Sequence, residues 1–290
     1  MIRRLSLFFA VIVLLTSCAS THVNPLLSQE PDTTLAKKEI KVLRKEANPL
    51  WEKRNDKVSL FEFLVVGERI ARSSHGDEED LIRMARASYL AGEYFSSTDK
   101  EKAHYFELSS NWSEAALARN IFFKERVLQH NLPADQALDT LSKKDAEALY
   151  WFSVALGKWA ITQSLATQLK YKDRIKMMID RVSRLRPHYF YGAVYRYNGV
   201  YYASLPGFGE DNLKKSKFNF EEALKKSPDY FANHTLYAEL YAKKVDDQDL
   251  RRKHLDFVVN GDPNGLRDYY PEQMLEKERA KQILKGMITQ

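Results

Sequence analysis

The chain has 290 residues, 44% of them hydrophobic and 12% aromatic, and its formal net charge is +6. This length is sufficient for a sizeable core, and the hydrophobic content excludes a largely disordered chain. The basic residues are spread along the sequence, which argues against a nucleic-acid partner. With only 11 Gly and 9 Pro among many helix-forming residues, the composition favours helix over sheet.

The first twenty residues have the pattern of a signal peptide. Arg3 and Arg4 precede an apolar run, from Leu7 to Leu15, that is too short to span a bilayer. The run ends in LLTSC, which resembles the lipobox of bacterial lipoproteins, and Cys18 is the only cysteine. We expect cleavage before Cys18 and its acylation, with palmitate among the chains, which would anchor the mature protein to a membrane. The alternative is a buried structural thiol.

The residues after the signal peptide predict a tether and then a basic helix. Residues 19–34 have the composition of a flexible tether. In LAKKEIKVLRKEA, residues 35–47, apolar residues recur at helical spacing between basic ones. Two interpretations stay open: this helix lies on anionic lipid headgroups, or it caps the first helix pair. The predicted divisions are a signal peptide at 1–17, a lipid-anchored tether and basic helix at 18–49, and one helical domain at 50–290.

From Ser59 onward, almost every segment has the period of an α-helix. Ser59 with Glu62, and Thr98 with Glu101, match the capping box that opens a helix. No segment of comparable length alternates at period two, so we predict an all-α domain.

The second half of the domain repeats itself about every 41 residues. In each copy, a small residue in a first helix is followed by spaced apolar or small residues in a second helix and then by a proline, as in tetratricopeptide repeats. We predict a tetratricopeptide-like stack of helical hairpins, which is an α-solenoid or compact superhelix. A central pore through this stack is possible and is not decided by the sequence. Its later core should contain six positions: Leu156, Ile179, Val182, Phe220, Ala223 and Leu255.

Aromatic residues are concentrated in the predicted first helices. YFYGAVYRYNGVYYA, residues 189–203, carries seven rings, and we interpret it as one helix on the inner surface. Similar concentrations of rings occur in the preceding segment, ALYWFSVALGKWA, and in the following one, DYFANHTLYAELYA. The rings either line a groove or tunnel or fill space between bulky helices. The first alternative predicts a ligand-binding set from their spacing: Trp151, Trp159, Tyr197, Tyr201 and Phe208.

Motifs for catalysis and metal binding are absent from the sequence. No two of the seven histidines are spaced for a helical metal pair, and GFG at 207–209 lacks the lysine of a phosphate loop. Glu147 and Glu239 are the carboxylates nearest the ring-bearing helices, and each is either a general acid or a structural group. We interpret the protein as a non-enzyme with no catalytic residue, metal or cofactor.

Four segments carry a family resemblance in their order along the chain: DAEALYWFSVALGKWA, YFYGAVYRYNGVYYASLPGFGED, FNFEEAL and LYAELYA. Together they resemble the T-component (TatT-like) lipoproteins of tripartite ATP-independent periplasmic (TRAP) transporters. The resemblance implies a lipid-anchored, periplasm-facing helical accessory protein with a hydrophobic cleft or pore. It also implies a periplasmic solute-binding partner and a hydrophobic small ligand. The alternative is a tetratricopeptide lipoprotein scaffold for protein–protein interaction in envelope assembly.

The expected location is the bacterial cell envelope. The residues AS after Cys18, in place of Asp, favour the outer membrane over the inner one under an enterobacterial-type sorting rule. The sequence leaves a homo-oligomer and the identity of the ligand open.

Overall fold

The computed structural model describes residues 24–205 and 210–288, so Cys18 and Phe208 lie outside the described residues. Within these ranges the chain forms thirteen α-helices and no strand, and one isolated β-bridge joins Asp32 to Ser73. The helices are α1 (Pro25–Ser28), α2 (Lys37–Glu52), α3 (Lys57–Arg72), α4 (Glu78–Leu90), α5 (Asp99–Leu117), α6 (Ile121–Leu128), α7 (Ala146–Ile161), α8 (Leu165–Leu185), α9 (Ala193–Ser204), α10 (Glu210–Lys226), α11 (Phe231–Leu236), α12 (Gln248–Asn260) and α13 (Tyr270–Ile288).

Shorter helical turns complete the architecture. One π-helical turn, Ala91–Phe95, continues α4, and another, Tyr237–Ala242, continues α11. The 3₁₀ turns are Ala134–Gln136, Leu138–Thr140, Lys143–Asp145 and Pro263–Tyr269. Successive helices pack as hairpins: α2 on α3, α4 on α5, α7 on α8, α9 on α10, and the π turn after α11 on α12. The predicted all-α fold is confirmed for the part of the chain that the structure describes.

The predicted core positions are buried. Phe220 is completely buried and lies against Gly199, where an added Cβ would be 2.8 Å from the Phe220 ring. Ser216 Oγ donates a hydrogen bond to the Gly199 carbonyl at 2.8 Å. The small residue in α9 is therefore required because α10 crosses it closely. The other five predicted positions are buried as well: Leu156, Ile179, Val182, Ala223 and Leu255.

One of the two capping boxes is confirmed and the other is wrong. The Thr98 hydroxyl caps α5 by accepting from the Glu101 amide, and the Glu101 carboxylate accepts from the Thr98 amide. The helix α3 instead begins at Lys57, because the Asp56 side chain accepts hydrogen bonds from both the Ser59 amide and the Ser59 hydroxyl. The positive end of the helix dipole also favours the negative charge of Asp56, and the cap lies three residues earlier than Ser59.

The last helix packs back against the first ones. Glu272, near the start of α13, is ion-paired with Arg54 at 2.7 Å and with Arg86 at 2.9 Å. Two turns further on, Arg279 pairs with Glu93 at 2.9 Å. Arg54 follows α2 and Arg86 lies in α4. The ion pairs therefore hold the last helix, α13, against the N-terminal helices.

The segment before α2 is bound to the helices, which differs from the flexible tether expected over residues 19–34. Asn24 is 2% exposed, and its Nδ2 donates to the Asn111 carbonyl in α5 at 2.8 Å. The backbone of Asp32 pairs with Ser73 just after α3. From Asn24 onward, hydrogen bonds to α5 and to the end of α3 hold this segment.

The apolar side of α2 lies in the main core, as in a helix that caps a pair. Ile40, Leu43, Ala47 and Trp51 are all buried, and α2 packs against α3. The lysines between them are exposed, so its basic side faces outward.

Candidate ligand site

The ring-rich stretch is not one helix, so that prediction is wrong at its start. Three consecutive residues have left-handed backbone: Phe190 at φ 48°, Tyr191 at φ 53° and Gly192 at φ 74°. Side-chain-bearing residues rarely adopt this conformation, so surrounding contacts must compensate for its strain. The helix α9 begins only at Ala193. Tyr189, Phe190 and Tyr191 therefore lie on a turn, and their rings point away from the helix axis into a larger group.

We call that group the central ring cluster. Its members come from α7, the turn before α9, the residue before α11, and the 3₁₀ turn before α13: Tyr150, Trp151, Tyr189, Phe190, Tyr191, Tyr230 and Tyr269. Phe190 is at the centre, with ring centroids 5.4 Å from Trp151 and 5.1 Å from Tyr269. Tyr191 stacks on Tyr230 at 5.1 Å with an interplanar angle of 13°. Such contacts between rings favour the strained turn that places them.

A buried arginine packs against two rings of the cluster. Arg196 is 5% exposed, and its guanidinium lies 4.7 Å from the Tyr230 ring centroid and 5.5 Å from that of Phe190. Its Nη2 donates to the Tyr150 hydroxyl at 3.1 Å, and its Nη1 donates to Asn233 Oδ1 at 2.9 Å. It forms no salt bridge with any residue that the structure describes. The cluster therefore contains a cation held by neutral oxygens and ring faces.

Several polar atoms in and beside the cluster are unsatisfied. Trp151 Nε1, Tyr189 Oη and Arg86 Nε are buried and have no hydrogen-bond partner among the described residues. The Arg86 guanidinium is 5.5 Å from the Trp151 ring centroid and 5.2 Å from that of Tyr269. Buried donors of this kind cost free energy unless an acceptor meets them. The cluster is consequently able to donate hydrogen bonds as well as to provide apolar surface.

The phenols in this region stay protonated. Burial raises the pKa of Tyr189 well above its usual value, and burial also raises the pKa values of Tyr230 and Tyr197. Removal from water disfavours a phenolate, so these groups act as hydroxyl donors and acceptors.

The structure separates the four described members of the predicted ligand-binding set into two places. Trp151 belongs to the central ring cluster, whereas Trp159 contacts Tyr171 of α8 at a centroid distance of 5.4 Å. Tyr197 and Tyr201 stack on one another at 6.3 Å. The Tyr201 hydroxyl donates to Asp173, also in α8, at 3.4 Å. Trp159 and Tyr201 thus both contact α8.

A groove of about 730 Å³ lies elsewhere, between α13 and the neighbouring ends of α4, α5 and α7. Its apolar lining comes from Tyr94, Phe95, Phe106, Ile161, Met274 and Leu275. Its charged lining comes from Glu93, Asp99, Lys102, Lys158, Lys277, Glu278, Arg279 and Lys281. Trp151, Trp159, Tyr197 and Tyr201, the described members of the predicted ligand-binding set, do not line this groove, which mixes apolar surface with charges of both signs.

Glu93 is the central charge of the groove. The π-helical turn after α4 carries it, and it accepts from Lys158 at 2.6 Å and from Arg279 at 2.9 Å. Burial opposes its ionisation, but the two cations outweigh burial and hold the pKa of Glu93 below its usual value. The carboxylate therefore stays charged and is fully engaged within the protein.

Glu239 and His234 have structural partners. Glu239 Oε1 accepts from Arg251 Nη2 at 2.7 Å. His234 Nδ1 lies 2.9 Å from His254 Nδ1, and His234 Nε2 donates to the Pro228 carbonyl at 2.7 Å. Both nitrogens of His234 are thus occupied by protein contacts. No group of metal-ligating side chains occurs among the residues that the structure describes.

Sequence reasoning missed Tyr269, Arg86 and Arg196 as members or neighbours of the ring cluster. Arg196 stands inside the ring-rich stretch, between Tyr195 and Tyr197, and a cation at the middle of an aromatic run was the available signal. Nothing local marks Tyr269, because only the packing of α13 brings it to Phe190.

Comparison with known proteins bears on the role of this fold. A family model described as TRAP transporter T-component matches residues 102–288. The chain belongs to this family. The matched range contains all seven rings of the central ring cluster and the residues of α7 and α13 that line the groove. No curated protein matches this chain.

Family membership makes the protein an accessory component of a TRAP transporter, in the bacterial envelope. Within residues 24–205 and 210–288, none of the helices combines the length and the apolar character that crossing a membrane requires.

Proposed function

We propose that this T-component is acylated at Cys18, faces the periplasm, and binds both a periplasmic solute-binding protein and a hydrophobic small molecule. The outer membrane is the proposed site of the anchor. The family match over residues 102–288 carries the proposal. The lipobox-like LLTSC supports the anchor.

The aromatic surfaces support the small-molecule part of the proposal. Trp159, Tyr197 and Tyr201 are only partly buried, and their rings present apolar area next to phenol hydroxyls. Trp151 contributes from the central ring cluster, and Phe208 remains part of the proposed set. Apolar area with a few polar groups is the usual composition of a small-molecule site, and the hydroxyls would orient the ligand.

Extraction of the purified protein with organic solvent, followed by mass spectrometry, tests ligand binding. We expect a copurifying apolar molecule whose amount falls in Trp159→Ala and changes in Tyr201→Phe, which removes one hydroxyl and keeps the ring. Phe257→Ala, an exposed ring on α12, is the control. Wild-type protein without ligand, or equal amounts in all variants, would contradict this role.

Mass spectrometry of the mature protein tests the anchor separately. We expect an N-terminal Cys18 that carries acyl chains. An unmodified Cys18 thiol would refute the lipoprotein assignment and leave the ring site to be judged by extraction.

The groove beside α13 favours a second function, that of a scaffold for protein partners. It is lined by lysines and carboxylates as well as rings, which suits a peptide segment better than a uniformly apolar ligand. Crosslinking from Lys102, in the groove, identifies its partner. A solute-binding protein supports the transport role, and envelope-assembly proteins support the scaffold.

A further inference from the structure

Two large apolar side chains are exposed next to each other at the start of α6. Ile121 is 71% exposed and Phe122 is 62% exposed, whereas the next residue, Phe123, is completely buried. Asn120 caps this helix, since its Oδ1 accepts from the Phe122 amide at 3.1 Å. The buried Phe123 and the cap hold the pair in place. We call Ile121 and Phe122 the apolar tip.

Three exposed lysines lie close to the start of α6, which carries the apolar tip. Asn120 Nδ2 donates to Asp145 at 3.2 Å, which brings the turn containing Lys143 and Lys144 beside the start of α6. Lys124, one turn into α6, is exposed as well. None of these three lysines forms a salt bridge with a described residue. We call Lys124, Lys143 and Lys144 the basic rim.

The carboxylates near the tip offset these lysines only in part. Asp139 is ion-paired with Arg126 at 3.4 Å, the buried Asp145 accepts hydrogen bonds from Asn120 and Ser142, and Glu78 is within electrostatic reach of Lys144. Glu125 is exposed, and its 3.8 Å contact with the His130 ring is an ion pair only when the imidazole is protonated. The three exposed lysines of the basic rim therefore outnumber Glu125, the exposed carboxylate beside them, around an apolar centre. Amphipathic surfaces of this composition bind the interface of anionic bilayers.

The N-terminal segment reaches the same end of the helical stack. The backbone of Asp32 pairs with Ser73, and the Gly76 amide donates to the Ser73 carbonyl at 3.0 Å. The Gly76 carbonyl in turn accepts from Arg119 Nη2 at 2.9 Å. Arg119 precedes Ile121 by two residues. A continuous path of contacts thus connects the N-terminal segment with the apolar tip.

The anchor is within reach of this end. Cys18 precedes Asn24 by six residues, and six residues span at most about 20 Å. Asn24 is fixed to Asn111, which lies six residues before the end of α5, or about 9 Å along the helix. The helix α6 starts just beyond that end. A lipid on Cys18 is therefore within reach of this surface, and Asn24 lies nearer to this end of α5 than to its start, which is 12 residues or about 18 Å from Asn111.

We propose that the apolar tip and its basic rim lie against the anionic phospholipid surface that holds the lipid anchor, so that the protein is oriented on the membrane and does not swing from a tether. This inference rests on the proposed acylation of Cys18. The groove beside α13 adjoins the opposite ends of the helices, where α4 and α7 finish and α5 begins. With the tip on the membrane, that groove faces the periplasm.

A fluorescent label on a single thiol tests the contact. Acylated Cys18 does not react with thiol reagents, so Phe122→Cys carries one nitrobenzoxadiazole label in protein reconstituted into phosphatidylglycerol/phosphatidylcholine vesicles. Phe218→Cys is the matched control, because Phe218 is 59% exposed on α10. We expect a blue shift and at least twofold quenching by doxyl-labelled lipids at position 122, and neither at 218. Equal responses, or a label in water at 122, would overturn the proposal.

Charge reversal gives a second readout that does not depend on the anchor. The full mature chain with Cys18→Ser should sediment with the same vesicles, and Lys143→Glu with Lys144→Glu should reduce binding at least fivefold. The matched control reverses the adjacent exposed pair Lys225 and Lys226 on α10. No binding, or equal loss in both double variants, contradicts the contact surface. If the wild-type protein fails to float with vesicles, the anchor is refuted, while the sedimentation result still decides the surface.

Discussion

Arg54 and Glu272 form a buried ion pair across 218 residues of chain, with Nη2 and Oε2 separated by 2.7 Å. Arg54 also donates to the carbonyls of Trp51 and Asp268, at 3.0 Å and 2.9 Å. Glu272 receives a second cation from Arg86. This network holds α13 against the first helices and thereby places Tyr269 in the central ring cluster. The shape of the candidate site depends on it.

Removal of the Glu272 charge should be strongly destabilising. Glu272→Gln leaves two largely buried guanidinium groups without a counter-ion, which typically costs about 3–5 kcal/mol. Urea unfolding measures the loss. Glu278→Gln on the same helix is the control, because Glu278 is exposed and its contact with Lys281 is long, at 3.5 Å. A similar small loss in both variants would mean that the network does not hold α13.

Phe220 tests the packing of α9 on α10. Phe220→Ala should lower the free energy of unfolding by about 3–5 kcal/mol, because the side chain is fully buried between Gly199 and Tyr237. Phe218→Ala, two residues earlier on the exposed side, should change it by less than about 0.5 kcal/mol. Chemical denaturation of both variants checks the repeat register, and a loss below about 1 kcal/mol for Phe220→Ala would contradict it.

His254 should make stability fall in mild acid. Burial, together with His234 and Lys253, lowers the pKa of His254 to about 4. In the unfolded chain the imidazole titrates near pH 6.5, so between these values the unfolded state binds the extra proton. Above about pH 6.5 this histidine does not lower the free energy of unfolding, and the free energy of unfolding falls as the pH is lowered from there towards 4. His254→Gln should therefore show a smaller loss of urea midpoint from pH 7 to pH 5 than wild type. The exposed His188→Gln should behave like wild type.

Glu114 should have the opposite pH dependence. Burial raises the pKa of Glu114 to about 7, and a hydrogen bond with Asn24 opposes this only in part. The unfolded carboxyl titrates near pH 4.3, so stability falls as the pH rises from about 4.3 to about 7. Glu114→Gln should raise the melting temperature at pH 8 and give a smaller gain at pH 5. An equal gain at both pH values would show that ionisation of Glu114 is not involved, and the exposed Glu125→Gln is the control.

Local sequence determined the helices and the repeat positions. The 3.6-residue period and the spacing of Ile179, Val182, Phe220 and Ala223 depend only on which residues share one side of a helix. The close crossing at Gly199 was predictable for the same reason, since a small residue in a first helix is where the second helix approaches. Family membership also followed from ordered local segments.

Tertiary contacts decided the candidate site. Phe190 and Tyr191 adopt left-handed backbone, against their intrinsic preference, because Trp151, Tyr230 and Tyr269 receive their rings. Tyr269 is there because α13 is held by ion pairs to residues 186 and 218 positions earlier in the chain. Helical periodicity describes neighbours within a few turns and carries no information on such distant pairs. Which rings contact one another in the central ring cluster is therefore decided by the packing of the two ends of the chain against each other.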